Sequence, residues 1–186
     1  MPVKYILFAI LFTCSVAWGQ SSDSVTMSSI KTGGIELDAL PYISGGYYGS
    51  VWYGVDHFRF RGVITKTTVP QFILPEGFKN NRLNVIAFIV DYFPQQEFRG
   101  WWIGSGVEIW NATIEHENES VAPSYSNTVF TVGGGYVWKF YKNFYLNPWA
   151  AGHLMVAGDR AVAVGSWSYK PAVFTGEMSL KVGWHF

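Results

Sequence analysis

The carboxyl-terminal segment of the chain has a strict two-residue periodicity. From Phe174 to Phe186 every second residue is apolar or Gly, and the alternate positions include Glu177, Lys181 and His185. Successive side chains of a β-strand point to opposite faces, so the segment predicts a strand with one apolar face and one polar face. The apolar row must contact hydrocarbon or a protein core, and the polar row must contact water or other charges.

The same alternation recurs upstream, for example where Phe58 and Phe60 alternate with Arg59 and Arg61. Alternation of this kind, bounded by turn residues, predicts strands at residues 31–40, 45–54, 58–69, 82–93, 100–114, 128–140, 144–156 and 174–186. Between these strands, short connections at 55–57, 94–99 and 141–143 alternate with long ones at 70–81, 115–127 and 157–173. The alternation indicates a structure with two different ends.

A two-faced last strand that closes on an aromatic residue resembles the last strand of bacterial outer-membrane β-barrels. In that family the strand is the assembly signal, which implies that Trp184 and Phe186 are read by the barrel assembly machinery. Such barrels have an even number of strands, short periplasmic turns and long extracellular loops. We therefore expect an all-β protein, a closed antiparallel up-and-down transmembrane β-barrel of about eight strands. The resemblance also implies a monomer in the outer membrane, in contact with outer-membrane lipid and lipopolysaccharide.

The amino-terminal segment is typical of an export signal. A short basic start ending at Lys4 precedes an apolar run at residues 5–12, and the small-x-small site at Ala17–Gly19 follows. We expect a secretory signal peptide at residues 1–19, cleaved before Gln20, and one barrel domain at 20–186. Cleavage would remove Cys14, the only cysteine, and with it any disulfide or cysteine-based site.

Composition excludes several function classes. Aromatic residues make up 18% of the chain and charged residues only 14%, whereas about 25% charged is usual for soluble domains. With 13 basic and 13 acidic residues, the chain has no basic field for nucleic acid. Neither a metal nor another cofactor is expected.

The polar rows supply the candidate site. An eight-stranded barrel has an interior just wide enough for side chains, where unpaired charges are costly. We therefore expect an ion-pair network that plugs the lumen, formed by Glu36, Asp38, Arg59, Arg61, Glu108, Lys139, His153, Glu177, Lys181 and His185. Trp110 and Trp149 also fall on inward positions. A conducting pore would need a water-filled file beside Gly104, Gly106, Gly133 and Gly135.

Aromatic residues near the predicted periplasmic strand ends predict a girdle at the boundary between lipid and water. Its expected members are Trp101, Trp102, Trp138, Tyr141, Tyr145, Trp149, Trp184 and Phe186.

The main functional hypothesis is a structural or surface-interaction role, and whether the protein is an enzyme stays open. One alternative is a lipid-modifying hydrolase or acyltransferase, in which His116 or His153 approaches a Ser and a carboxylate; the chain lacks the His-x-Ser and following Glu that outer-membrane deacylases have. His116 lies in the densest polar cluster, with Glu115, Glu117, Glu119, Ser124 and Ser126. We interpret this cluster as an acidic external loop, and less readily as a cation site. The last alternative is a secreted lipocalin-like calyx, with its apolar rows turned inward around an apolar ligand.

Overall fold

The computed structural model describes residues 29–186, so the predicted signal peptide and its cleavage site lie outside the described residues. The described chain forms ten strands: β1 Lys31–Asp38, β2 Tyr47–Val55, β3 Phe58–Thr68, β4 Phe78–Tyr92, β5 Gly100–His116, β6 Ser124–Tyr141, β7 Phe144–Gly158, β8 Val162–Val164, β9 Trp167–Tyr169 and β10 Phe174–His185. Within this range the helices are α1, Ala39–Ile43, and two 3₁₀ turns at Gln71–Ile73 and Gln96–Phe98. None of them is long and apolar enough to cross a membrane.

Strands β1 to β7 and β10 close into an eight-stranded antiparallel barrel, in which each strand pairs with its sequence neighbour. The barrel closes between β1 and β10, where Gly34 lies opposite His185 and Asp38 lies opposite Lys181. The fold class predicted from the sequence is confirmed, including the number of barrel strands.

The barrel has two different ends. At one, which we call the turn end, β1 begins and β10 finishes, and residues 56–57, 93–99 and 142–143 form the connections. Asp56 and Lys142 have φ values of 55° and 47°, the left-handed conformation that two-residue hairpin turns require. At the other, the loop end, lie α1 and the loops 69–77, 117–123 and 159–173.

Alternating side chains separate the wall of the barrel from its lumen. Phe58 and Phe60 lie outside, whereas Arg59 and Arg61 are buried inside. Strand β4, which is apolar on both faces, turns Ile86 and Phe88 outward and Val85 and Ala87 inward. The apolar rows therefore lie outside, opposite to the arrangement that a calyx would need.

Several boundaries differ from the predicted ones. Strand β4 begins at Phe78 rather than at residue 82, because a register shift between Lys79 and Arg82 interrupts the alternation and hides the start of the strand. Strands β5 and β6 extend to His116 and from Ser124, so the loop between them is shorter than expected.

Local structure also forms where only connections were predicted. Strands β8 and β9 form a small hairpin inside the predicted loop 157–173. Helix α1 replaces a simple turn, because the Asp38 carboxylate caps it by accepting a hydrogen bond from the amide of its second residue, Leu40.

The predicted aromatic girdle is correct in part. Trp101, Trp138 and Tyr141 are exposed on the outside of the barrel near the turn end. Trp102 and Tyr145 are instead buried in the lumen, and Trp149 also faces inward, where its indole donates to Asp38. Whether an aromatic side chain points outward or into the lumen depends on its position in the strand register and not on its residue type.

Candidate functional site

Four fully buried charged side chains occupy the half of the lumen nearest the turn end, and we call them the charged quartet: Glu36, Arg59, Arg61 and Asp91. Arg59 and Arg61 share a face because they alternate on β3, and Asp91 lies opposite Arg59 on β4. Arg59 Nη1 lies 3.0 Å from Glu36 Oε1, and its Nε lies 2.8 Å from Asp91 Oδ2. Arg61 Nε lies 2.7 Å from the same Asp91 oxygen. Two carboxylates thus pair with two guanidinium groups.

Neutral donors complete the coordination of Glu36. The Tyr145 hydroxyl donates to its Oε1 across 3.0 Å, and Asn147 Nδ2 donates to the same oxygen across 3.1 Å. Trp52 Nε1 in turn donates to the Tyr145 hydroxyl at 2.9 Å. A buried carboxylate needs such donors, since Coulomb attraction alone does not repay its desolvation.

Aromatic rings close the lumen between the charged quartet and the turn end. The Arg59 guanidinium lies 4.9 Å from the centre of the Phe93 ring and 5.4 Å from that of Trp102, within cation–π range. Phe98 enters the lumen from the turn 93–99 and is 2% exposed. It packs against Gly54, where any side chain would collide with its ring. We call these rings the aromatic floor.

Asp38 and Lys181 lie farther toward the loop end. Asp38 accepts a hydrogen bond from Trp149 Nε1 at 2.7 Å and others from Ser179 Oγ and the Leu40 amide. Lys181 is buried, with Nζ 3.6 Å from the centre of the Trp149 ring. Within residues 29–186 its ammonium group forms no hydrogen bond or ion pair.

His153 sits between two carboxylates. Its Nδ1 lies 2.9 Å from Thr131 Oγ1 and 3.5 Å from Glu108 Oε1, and its Nε2 lies 3.5 Å from Glu177 Oε2. Glu108 also accepts a hydrogen bond from Trp110 Nε1 at 2.6 Å. We call His153 with these two acids the histidine centre.

Two members of the predicted network lie apart from these groups. Lys139 donates to the backbone carbonyl of Glu97 in a turn, outside the lumen network. At the rim His185 stacks on Trp52 and meets the Tyr145 ring edge-on, and it contacts no acid in the described part of the chain. Both residues are on the inward register, but they stand at the turn end, where the strands reach solvent.

The polar cluster around His116 is divided among separate partners. His116 stacks on Trp167, with ring centres 4.3 Å apart, and its Nδ1 accepts from the Asn118 amide. The Glu115 carboxylate accepts from Asn80, and that of Glu119 accepts from the amide and hydroxyl of Ser166. In residues 29–186 no group of three or more His, Cys, Asp or Glu side chains is placed to hold a metal ion.

The enzyme alternative predicts a histidine beside a serine and a carboxylate. His153 meets two carboxylates, but its hydroxyl neighbour is Thr131, which shares Nδ1 with Glu108 and also contacts the Gly152 carbonyl. His116 contacts Asn118 and Trp167 instead of Ser124 or Ser126.

The sequence interpretation missed several important lumen residues, among them Asp91, Trp52 and Asn147. Asp91 offered a signal, since it is the single acid within an otherwise apolar segment. Trp52 and Asn147 offered none, because their roles depend on partners from distant strands.

Two cavities remain in the half of the lumen nearest the loop end. The inner one, of about 140 Å³, lies above Trp102 and is bordered by Lys181, His153 and, on its turn-end side, Arg61 of the charged quartet. The outer one, of about 160 Å³, lies below the loops and is mostly apolar. Leu83, Trp110 and His153 border both cavities, so the two adjoin.

Comparison with known proteins gives the same fold. No protein-family model and no curated protein sequence matches the chain. The N-terminal β-barrel domain of Pseudomonas aeruginosa OprF is similar at 17% identity with a TM-score of 0.59, over 86% of this chain and all of that domain. Neisserial surface protein A, NspA, is similar at 12% identity with a TM-score of 0.52, over 85% of this chain and 96% of that one. The resemblance to small eight-stranded outer-membrane barrels is confirmed at the level of the fold.

Proposed function

We propose that this protein is a small outer-membrane β-barrel with a structural or surface-interaction role and a lumen closed to ions. The observation that carries the proposal is a continuous apolar outer wall. Every barrel strand exposes large apolar side chains, including Leu37, Val51, Ile64, Phe88, Ile103, Val132, Leu154 and Met178. A wall of this extent would be an aggregation hazard in water, whereas in a bilayer it meets hydrocarbon.

Orientation follows from the two ends of the barrel. Short turns face the periplasm and long loops face outward in outer-membrane barrels, so the turn end would be periplasmic and the loop end extracellular. Trp184 and Phe186 would then lie at the periplasmic end, as the assembly signal read by the barrel assembly machinery. Lipopolysaccharide and outer-membrane lipid would surround the monomer.

The charged quartet and the aromatic floor support a closed lumen. Both cross the barrel near its turn end, and all four charges are paired and desolvated. Opening a water file would require separating these pairs inside a low-dielectric interior. We therefore propose that the quartet, rather than all ten predicted polar residues, is the plug.

A surface-interaction role is supported by the loops. Phe72 is 88% exposed in the loop 69–77, and Ile73 beside it is also exposed. The hairpin β8–β9 is held near the mouth by the contact of Trp167 with His116 and by hydrogen bonds from Ser166 to Glu119. An ordered, partly apolar loop surface is suited to binding a partner.

The proposal is tested by expressing the full chain, separating the inner and outer membranes, and digesting intact cells with protease. The mature protein should be in the outer membrane and migrate faster on gels before heating than after. Cleavage in intact cells should be confined to the loops 69–77, 117–123 and 159–173. A periplasmic or secreted protein, or cleavage within the turn 93–99, would contradict the proposal.

A further inference from the structure

We propose that the inner cavity binds a small monocarboxylate with an apolar body, and that the Lys181 ammonium contacts the carboxylate. The inference goes beyond the proposed function, because it gives the lumen a ligand even though its turn end is closed.

Lys181 is the first observation. Its side chain is 1% exposed, and its Nζ rests against the Trp149 ring without an acceptor in the described chain. The acid opposite it in register, Asp38, already accepts hydrogen bonds from Trp149, Ser179 and Leu40. Burying a charged donor without an acceptor is costly unless something supplies one. The ammonium borders the inner cavity, so an acceptor can reach it from there.

His153 is the second observation. Its Nε2 is buried and makes no hydrogen bond within residues 29–186, and the ring borders both cavities. A basic side chain whose Nε2 has an ionic neighbour, Glu177 at 3.5 Å, but no hydrogen bond in the described chain thus borders the same cavity as Lys181. Two acids, Glu108 and Glu177, also line the inner cavity, and each lies 3.5 Å from the His153 ring, which balances their charge. Arg61 also lines the cavity but is paired with Glu36 and Asp91, so the group without an acceptor in the described residues is the Lys181 amine, whose protonated form favours an anionic ligand.

The opposite wall of the inner cavity is apolar. Val63, Val85, Ala87 and Ile89 line it, and Trp102 closes it toward the turn end. Its volume of about 140 Å³ is close to that of an engineered protein cavity of about 150 Å³ that binds benzene. The space therefore suits one aromatic ring or a short alkyl chain, with its carboxylate directed toward Lys181.

Access would come from the loop end. The outer cavity is bordered by Leu74 and Pro75 on one side and by Pro171 and Ala172 on the other. It adjoins the inner cavity at Leu83, Trp110 and His153. An apolar route leading to a buried cation is the arrangement expected for an amphiphilic acid, and a poor one for a strongly hydrated inorganic anion.

The experiment titrates the refolded mature chain in detergent micelles with benzoate and hexanoate. Benzamide and hexanamide serve as neutral counterparts of the same shape, and benzylamine as a cationic one. Trp110 and Trp149 border the inner cavity, so tryptophan fluorescence reports binding alongside calorimetry. We expect the carboxylates to bind in the millimolar range or tighter, and the amides about tenfold or more weakly, because a hydrogen bond to a charged group is lost.

Variants distinguish the contribution of the Lys181 charge to binding from that of the cavity volume. Lys181→Met keeps the length of the side chain and should weaken carboxylate binding about tenfold or more, to the level of the amides. Lys66→Met, on an exposed position of β3, is the matched control and should bind as the parent does. Ala87→Phe fills the cavity from its apolar wall and should abolish binding of acids and amides alike. The heat-dependent gel shift verifies that each variant has folded.

Equal binding of carboxylates and amides by the parent chain would overturn the proposal, as would tighter binding of benzylamine or no binding at millimolar concentration. Unchanged carboxylate affinity in folded Lys181→Met would overturn it as well. If Lys181→Met does not fold, two measurements still test the proposal. These are the comparison of carboxylates with amides on the parent chain, and the loss of binding in Ala87→Phe.

Discussion

The two halves of the lumen treat buried charge differently. Toward the turn end, Arg59 and Arg61 are each paired with Glu36 and Asp91, and aromatic rings fill the space around them. One guanidinium nitrogen there, Arg59 Nη2, has no hydrogen-bond partner in residues 29–186. Toward the loop end, Lys181 has no hydrogen-bond acceptor in residues 29–186, His153 leaves one nitrogen unbonded, and two cavities remain.

This difference in charge pairing indicates that the inward polar rows can perform two functions: closing the lumen and binding a ligand within it. A neutral layer of paired charges packed against aromatic rings closes a barrel, because admitting water would separate its ion pairs. Charged groups left without partners beside empty space instead mark where a ligand can replace water. The comparison therefore predicts that the turn-end half is rigid and intolerant of change, and that the loop-end half is adaptable.

The largest expected effect comes from removing Asp91. Asp91→Ala leaves the two guanidinium groups of Arg59 and Arg61 with only Glu36 to balance them, at a buried position. We expect a loss of about 3–5 kcal/mol of unfolding free energy, the cost of breaking a buried ion pair. Urea unfolding of the barrel refolded into lipid vesicles measures it.

The matched change in the other half is Glu177→Ala. This side chain is one-third exposed and reaches only the His153 ring, so the expected loss is about 1 kcal/mol or less. Equal losses in Asp91→Ala and Glu177→Ala would break the comparison between the two halves.

A substitution on the outer wall tests whether the apolar row of side chains faces lipid. Leu180 lies outside, next in sequence to the inward Lys181. Leu180→Arg should cost about 2–4 kcal/mol, as expected for a cation facing lipid near mid-bilayer, and should reduce the yield of assembled protein. Leu180→Phe is the apolar control, and Lys181→Ala should assemble while leaving the lumen charge unbalanced. Normal assembly of Leu180→Arg would mean that the facing is wrong.

Enlarging one small side chain in each half compares their packing, with one carbon added at Gly183 and two at Ala87. Gly183 faces the Tyr145 ring so closely that a β-carbon would collide with it, and Gly183→Ala should cost about 1–3 kcal/mol by overpacking. Ala87 borders the inner cavity, and Ala87→Val should change the free energy of unfolding by less than about 1 kcal/mol. The same urea measurement serves both variants, and a larger loss in Ala87→Val would show that the cavity is not free space.

The smallest expected effect concerns the loop hairpin. Hydrogen bonds from the Ser166 amide and hydroxyl hold the pKa of the Glu119 carboxyl below its usual value of 4.5. A depressed pKa means that the ionised form stabilises the folded loop, so this contribution is present above pH 4.5 and is lost as the pH falls through the lowered pKa. The protection of β8 and β9 amides against hydrogen exchange, relative to the intrinsic rate at each pH, should fall over that range, and Glu119→Gln should remove this acid-dependent step. Protection in the parent chain that does not change with pH would contradict the assignment.

The sequence predicted the barrel wall because period-two alternation is local. Phe58 to Arg61 establish both faces of β3 without knowledge of any partner strand. The alternation fails where the register shifts, and for that reason the start of β4 at Phe78 was missed. Strands β8 and β9 are three residues long, too short for a period to be recognised.

The sequence could predict which side chains of the candidate site point into the lumen, but not which of them pair. Alternation placed Arg59, Glu36 and Lys181 inward, but pairing is a property of the closed barrel, which brings β1, β3 and β4 onto one level. Lys139 and His185 share the inward register, yet they stand at the rim and join no ion pair in the described chain. Trp102 and Tyr145 share the inward registers of Glu108 and His153, so alternation places them in the lumen, and assigning them to the outer girdle by residue type was wrong.

The central claim, a lumen closed by the charged quartet and the aromatic floor, is tested most directly by conductance of the purified mature chain in a planar lipid bilayer. Insertion is verified by the heat-dependent gel shift of the same preparation, and a general porin serves as the conducting control. We expect no discrete conductance steps from the folded parent chain at high salt. Stable, reproducible steps from folded protein would contradict it and would mean that a continuous water path passes Arg59 and Asp91.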